Sequence, residues 1–223
     1  TNNAGENKPV AAEVGLGSRV AAITSTFTQG NLTHVENPFS VALEGDGFFQ
    51  IRTESGELQY TRDGSFEISP VANGNMLCTS DGNPVLDAYG NQIILPSNRV
   101  ATDLVVNQDG TLAFPDGTGN PAVITDANGR PVKFGIYQFN NPAGLSKEGS
   151  NNYSVTVASG AAVAENGNAA VKQTKTHQYY TEASNVDVAN EMVNLIVAQR
   201  AYEMNSKAIQ ASDEMMQQAN ALR

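Results

Sequence analysis

From Ser184 to Arg223 the chain carries neither Gly nor Pro, and apolar residues recur at Val188, Met192, Leu195, Ile196, Tyr202, Ile209, Met216 and Leu222. Intervals of three, four and seven residues mark one face of a helix. Ser184 is the expected N-cap, with Asp187 three residues on as a shortened capping box. Asp187 and Glu191 stand in the first turns and Arg223 at the end, an order that suits the helix dipole. A helix over this span would be roughly 58 Å long at about 1.5 Å per residue. Globular helices average about 11–12 residues. In a strict heptad register Gln199, Ser206, Asp213 and Asn220 fall on seam positions, where polar residues weaken a coiled coil but fix its register. Two readings stand: a surface helix folded onto its own domain, or a terminal helix packed against copies of itself.

Ahead of the helix the period changes. Between residues 41 and 181 short apolar or alternating runs are separated by Asn73-Gly74, Asp81-Gly82, Asp109-Gly110, Asp116-Gly117 and Asn128-Gly129. These dipeptides tolerate the positive φ of tight hairpins. Strands are expected at residues 47–51, 58–61, 92–95, 104–106 and 132–136, and Tyr153, Val155 and Val157 alternate as a half-buried strand should. Residues 159–170, rich in Ala, Gly and Asn, read as a loop, and 172–180 as a last extended stretch. The pattern predicts a mainly β fold, an antiparallel β domain followed by a long C-terminal α-helix. The expected organisation is a flexible lead-in (1–13), an extended connector (14–40), a β domain (41–181) and a terminal helix (182–223).

Composition narrows the function. Hydrophobic residues make up 40% of the 223, enough for a core, and the net charge of −10 with no basic cluster disfavours nucleic acid as a partner. No apolar run is long enough to span a membrane and the chain shows no signal peptide at its start. The single cysteine, Cys78, lies in an apolar run and reads as a buried structural thiol.

Candidate chemistry is weak. Calcium loops need several oxygen ligands at fixed spacing. The nearest match, Asp116-Gly117-Thr118-Gly119-Asn120, has one carboxylate, so turns explain the Asp-Gly pairs better. His34 and His177 lack metal-ligand spacing, no Gly-x-Ser-x-Gly elbow surrounds a serine, and Val14-Gly15-Leu16-Gly17-Ser18 lacks the lysine of a nucleotide loop. No catalytic, cofactor-binding or metal residues emerge: the chain reads as a non-enzyme with no cofactor and no small-molecule substrate.

Three segments in order resemble the bacterial flagellar rod and hook family. Thr28-Gln29-Gly30-Asn31-Leu32 with Glu36-Asn37-Pro38-Phe39-Ser40-Val41-Ala42-Leu43 is similar to that family's "QG-x-L…T-x-N-P-L-D-x-A-I". Gly45-Asp46-Gly47-Phe48-Phe49-Gln50-Ile51 is followed by Tyr60-Thr61-Arg62-Asp63-Gly64-Ser65-Phe66. Ser184-Asn185-Val186-Asp187 precedes Glu191-Met192-Val193-Asn194-Leu195-Ile196 and Gln199-Arg200-Ala201-Tyr202-Glu203-Met204-Asn205-Ser206-Lys207-Ala208-Ile209. The length and Pro142-Ala143-Gly144-Leu145 look most like the distal-rod members, with the proximal rod and hook branches as alternatives. Family members carry an apolar N-terminal helix and an "NN-x-AN-x-x-T-x-GF" segment, and the resemblance implies that this helix packs on the C-terminal one in the inner tube of the rod. This sequence begins after that point.

The motif residues also have physical uses. Gly45 and Gly47 allow a close approach before Phe48 and Phe49. Tyr60, Phe66 and Ile68 can pack on those rings across a hairpin as one aromatic cluster, while Arg62 and Asp63 read as polar turn residues and a candidate pair. The resemblance implies a structural subunit of the flagellar basal body that polymerises helically. Its partners would be copies of itself, neighbouring rod and hook proteins and the flagellar export apparatus. It would lie outside the cytoplasmic membrane, periplasmic in a Gram-negative cell, exported without a cleaved signal peptide. The assembly interface expected is Val188, Met192, Leu195, Ile196, Tyr202, Ile209 and Met216. The rival class is a secreted β-domain adhesin or glycan-binding module on a coiled-coil stalk.

Overall fold

The computed structural model describes residues 25–116, 121–126 and 128–221. The lead-in 1–13, part of the connector, most of the loop from Asp116 to Asn120, and Leu222 and Arg223 lie outside the described residues.

Along the chain run β1 (Leu32–His34), β2 (Val41–Glu44), β3 (Phe48–Arg52), β4 (Leu58–Thr61), β5 (Glu67–Val71), β6 (Gly74–Cys78) and β7 (Ile94–Leu95). Then come β8 (Val105–Val106), β9 (Leu112–Pro115), β10 (Pro121–Val123), β11 (Ile136–Gln138), β12 (Ser146–Gly149), β13 (Asn152–Ser154) and β14 (Val163–Ala164). β15 (Lys175–Gln178) and β16 (Tyr180–Glu182) precede α1 (Val188–Ala221). The fold is mainly antiparallel β with one long C-terminal helix. A six-stranded sheet in the order β12-β13-β4-β3-β11-β14 is flanked by the three-stranded sheets β5-β6-β7 and β10-β9-β8. Two ribbons, β15-β2 and β1-β16, carry the chain between this body and α1.

Strand β3 organises the core through its two-residue side-chain period. Phe49 and Ile51 point into the larger cluster with Phe66, Leu77, Val85 and Phe134 around them, all nearly inaccessible to solvent. Phe48 points the other way, into a smaller cluster with Tyr60, Phe139 and Leu145. The aromatic residues expected as one cluster are therefore two, on opposite faces of one strand. Phe66 meets Phe49 edge-on at 5.0 Å and Tyr60 meets Phe139 edge-on at 5.0 Å between ring centroids. Edge-on pairing places the positive rim of one ring on the negative face of the other.

The body is stitched by one repeated turn. In Thr53–Glu57, Thr79–Asn83, Asp87–Asn91, Asn107–Thr111 and Asp126–Arg130 the first residue's N–H donates to the fifth residue's carbonyl, and the fourth residue, a Gly, donates back to the first. Those glycines have φ of 88°, 82°, 84°, 82° and 76°. This is the three-residue hairpin loop closed by a Gly in the left-handed region, not the two-residue turn that an Asx-Gly pair first brings to mind. The first residue's side chain often braces the loop: Asp126 accepts from the N–H of Asn128 at 2.8 Å and of Arg130 at 2.9 Å.

Other expectations shift. Val155 and Val157 are not strand residues: β13 stops at Ser154, and Val157 is wholly exposed in a turn that Thr156 and Ser159 hold together. The stretch 159–170 is not all loop, because Val163 and Ala164 pair with β11. Of residues 132–136 only Ile136 belongs to a strand; Lys133 and Phe134 make single bridges to Thr111 and Asp87.

The helix starts three residues later than Ser184 as cap would require. Asp187 takes that role: its Oδ1 accepts from the Ala189 N–H at 2.9 Å and its carbonyl from the Glu191 N–H at 3.0 Å. Ser184 instead closes a small turn, accepting from the Val186 N–H at 3.3 Å. Asp caps with a carboxylate oxygen at much the same short reach as the Ser hydroxyl, and adds a negative charge at the positive end of the dipole. The 34 residues of α1 span roughly 51 Å at about 1.5 Å per residue, and none of its described side chains is buried.

Candidate assembly interface

Two parts of the molecule carry the singled-out residues: the junction where β body meets α1, and α1 itself. At the junction, Gly45, Gly47, Arg62 and Gly64 come together. Gly64 lies against the Val41 carbonyl and the Phe49 ring, so close that a Cβ would collide with the carbonyl. Gly47 is closed in by Ile136, Thr174 and Glu165. Gly45 has φ of 141°, which an L side chain seldom adopts. Phe48, Phe49, Tyr60 and Phe66 lie in the two clusters already described. Burial pushes the Tyr60 phenol above its ordinary pKa of 10, opposed by its hydrogen bond with Gln50.

Arg62 is not a plain turn residue paired with Asp63. Its side chain is 13% exposed, and its guanidinium binds the Glu182 carboxylate at 2.9 Å, from the strand just before α1. A second nitrogen, Nη1, donates to the carbonyls of Gly45 at 2.9 Å and Gly47 at 3.2 Å. The Arg62 head also stands 5.6 Å from the centre of the Phe48 ring. Glu182 carries no mark in the sequence, and Gln29 and Asn185 stand there only within motif segments; Glu182 and Gln29 bond Arg62, and Asn185 bonds Thr26 across 159 residues. No local pattern marks such partners.

On α1 the expected interface residues Val188, Met192, Leu195, Ile196, Tyr202, Ile209 and Met216 are all exposed; Leu195 stands at 68% and Tyr202 at 77%. Val188, Leu195, Tyr202, Ile209 and Met216 follow one another at steps of seven, so they form a seam that drifts slowly around the helix. Val193, Val197, Met204 and Met215 are equally bare. At about 3.6 residues per turn they fall on the opposite side, where small Ala201, Ala208 and Ala211 extend the strip. Arg200, Glu203, Lys207 and Glu214 separate the two apolar strips along one side, and Asn194, Asn205 and Ser212 along the other. The second strip was legible in the same sequence by its own steps of four, seven and eleven, but a search for a single seam passes over it.

Other candidate chemistry is accounted for locally. Cys78 is buried, its thiol held above the usual range by desolvation and by Glu67. His177 Nε2 lies 2.7 Å from Glu44 as a cross-strand pair, and His34 packs on Tyr180. Among the described residues no group of three or more His, Cys, Asp and Glu is placed to hold a metal ion, and no helix is long and apolar enough to cross a membrane.

Comparison with known proteins matches both parts. The model described as flagellar hook protein FlgE/F/G D1 domain covers residues 42–114, and that described as flagellar basal body rod FlgEFG protein C-terminal covers residues 177–222. The flagellar basal-body rod protein FlgG of Borreliella burgdorferi is 38% identical over 220 residues, 97% of this chain and 76% of the relative. FlgG of Bacillus subtilis is 35% identical, covering 92% and 73% of the two chains. The flagellar hook-basal body complex protein FlhP of the same organism is 32% identical, covering 96% and 76%. With such relatives aligned across most of both chains, and with family models over the body and the helix, this chain belongs to the flagellar basal-body rod protein family.

Proposed function

We propose that the chain is a structural subunit of the bacterial flagellar basal body that polymerises helically into the distal rod, the shaft between motor and hook. The observation that carries this is α1: 34 helical residues with no described side chain buried, in a chain whose relatives are named rod proteins. Helical stability in proteins comes mostly from burying an apolar face, and monomers seldom leave large apolar patches bare. Head-to-tail, heterologous contacts generate an open helical polymer. The seam Val188, Met192, Leu195, Ile196, Tyr202, Ile209 and Met216 packs on other helices in the core of that polymer, and the β body faces outward. The motif residues Gly45, Gly47, Phe48, Phe49, Tyr60, Arg62, Gly64 and Phe66 serve the fold of the body and its junction with α1.

The partners are copies of the chain and neighbouring rod and hook proteins, with delivery by the flagellar export apparatus. The subunit works outside the cytoplasmic membrane, in the periplasm of a Gram-negative cell. It is no enzyme and takes neither nucleic acid nor a small-molecule substrate. Sedimentation and negative-stain imaging of Leu195→Asp with Ile209→Asp test this reading. The parent is expected as oligomers or filaments and the variant as monomer with an intact β body. A parent that is monomeric with full helix signal, or a variant that assembles like it, overturns the role given to α1.

A further inference from the structure

Two segments cross the junction: residues 25–30 entering the body and 182–187 leaving it for α1. The entering segment has an apolar anchor, since Phe27 packs edge-on against Phe48 at 5.4 Å and Tyr153 at 5.2 Å. The leaving segment has none, because residues 183–187 are all exposed. Polar bonds hold it instead. Arg62 Nε and Nη2 donate to Glu182 Oε2 at 3.1 and 2.9 Å, and Nη2 also reaches Glu182 Oε1 at 3.2 Å. Glu182 Oε1 accepts the Gly30 N–H at 2.8 Å, so one carboxylate joins the body to both segments. Gln29 Oε1 accepts from Arg62 at 3.3 Å and from the Gly45 N–H at 3.0 Å, while its Nε2 donates to the Leu43 carbonyl at 3.0 Å. Further out, Asn185 Nδ2 donates to the Thr28 hydroxyl at 2.7 Å and to the carbonyls of Thr28 at 3.0 Å and Thr26 at 3.2 Å. Gly30 is pressed against the Ala183 carbonyl, with no room for a side chain between the segments.

The character of these contacts matters more than their number. Apolar contacts are non-directional and let surfaces slide. A planar guanidinium forked onto a carboxylate fixes distance and angle together, and a Lys in its place supplies a point charge without the fork. We propose that Arg62, Glu182 and Asn185 form a polar clasp that sets the direction in which α1 leaves the β body. They are positioning residues: they act through the segment they hold. The consequence for a shaft rests on the rod reading above, because a subunit with a fixed junction transmits torque from core to wall where a loose one would give.

The test measures the junction in a chain kept unassembled by Leu195→Asp with Ile209→Asp, so that its outcome is separate from that of polymerisation. Spin labels are placed at Val157→Cys, on a fully exposed body turn, and Val186→Cys, between clasp and helix. The labelled protein is diluted in unlabelled chain, with buried Cys78 left in place. The parent is expected to give one narrow distance distribution by pulsed electron paramagnetic resonance. Asn185→Asp replaces a donating amide by a carboxylate facing three oxygen acceptors, and it is expected to broaden the distribution at least twofold while the melting of the β body is unchanged. Arg62→Gln is expected to broaden it as well, and Arg62→Lys to do so despite keeping the charge. Should Arg62→Gln unfold the body, Asn185→Asp alone decides. A width unchanged in Asn185→Asp, or in a folded Arg62→Gln, overturns the clasp.

Discussion

Phe49 and Gly64 depend on each other at the resolution of single atoms. The Phe49 ring is fully buried against Phe66 and Phe134, and one edge of it lies over Gly64. Phe49→Ala is expected to cost about 3–5 kcal/mol, the usual loss for a buried Phe with its cavity, read as a fall in the denaturation midpoint. A midpoint left where it was would take that ring out of the core. Gly64 makes a sharper contrast with Gly82. Gly82 needs its positive φ but a Cβ there meets open space, so Gly82→Ala pays only the left-handed backbone, about 1–2 kcal/mol. At Gly64 the obstacle is the Val41 backbone carbonyl, which accepts no rearrangement of a flexible tip. Gly64→Ala is expected to be the more damaging of the two in chemical denaturation, and the reverse order would refute the steric account. These glycines and rings were legible in the sequence as types; which face each ring takes follows from the two-residue period of β3. Arg62 was legible as a motif residue but its role was not, because its partner Glu182 lies 120 residues away.

Elements differ in how far local chemistry decides them. The turns are local: five residues, a Gly in the fourth place and, in most, a side chain in the first that folds back on its own backbone. That is why Asp81-Gly82, Asp109-Gly110 and Asn128-Gly129 could be read as turns directly. The β edges near residues 132–136 and 155–157 could not, since whether a short apolar run pairs depends on what lies beside it. The turn at Asp126 has an electrostatic consequence. The Arg130 backbone N–H, opposed by desolvation and then joined by the Arg130 side chain, holds the Asp126 carboxyl below its ordinary 3.8. A carboxyl with a depressed folded value adds stability above 3.8 that is lost as pH falls through the folded value. The Asp126 side-chain carbon resonance is therefore expected to titrate with a midpoint below 3.8, and the 126–130 hairpin to loosen only in that acid range. A midpoint above 3.8 would mean that the turn does not favour the ionised form.

At the scale of the molecule the unresolved demand is the burial of α1. A helix with one apolar strip is satisfied by one neighbour. α1 carries two, the seam through Leu195 and Ile209 and the opposite strip through Val197 and Met215, all at least half exposed. The body supplies no surface for either, as no described side chain of the helix is buried. Its length and period were plain in the sequence; its later start at Val188 was not, because Asp187 outcompetes Ser184 as cap, and its second strip was written there only in steps of four, seven and eleven that lie off the main seam. In a helical polymer built from heterologous contacts each subunit has a neighbour on either side, and a two-sided helix fits that arrangement. Val197→Asp with Met215→Asp should then block polymer growth as fully as Leu195→Asp with Ile209→Asp, because each pair of charges would have to be buried without a partner. Equal amounts of the two variants mixed together should fail to grow as well, since every copy presents one damaged strip. Light scattering follows growth and circular dichroism checks that the β body is intact. Growth of the Val197 and Met215 variant at the parent rate would leave the second strip as solvent-facing surface and reduce α1 to a helix with one neighbour.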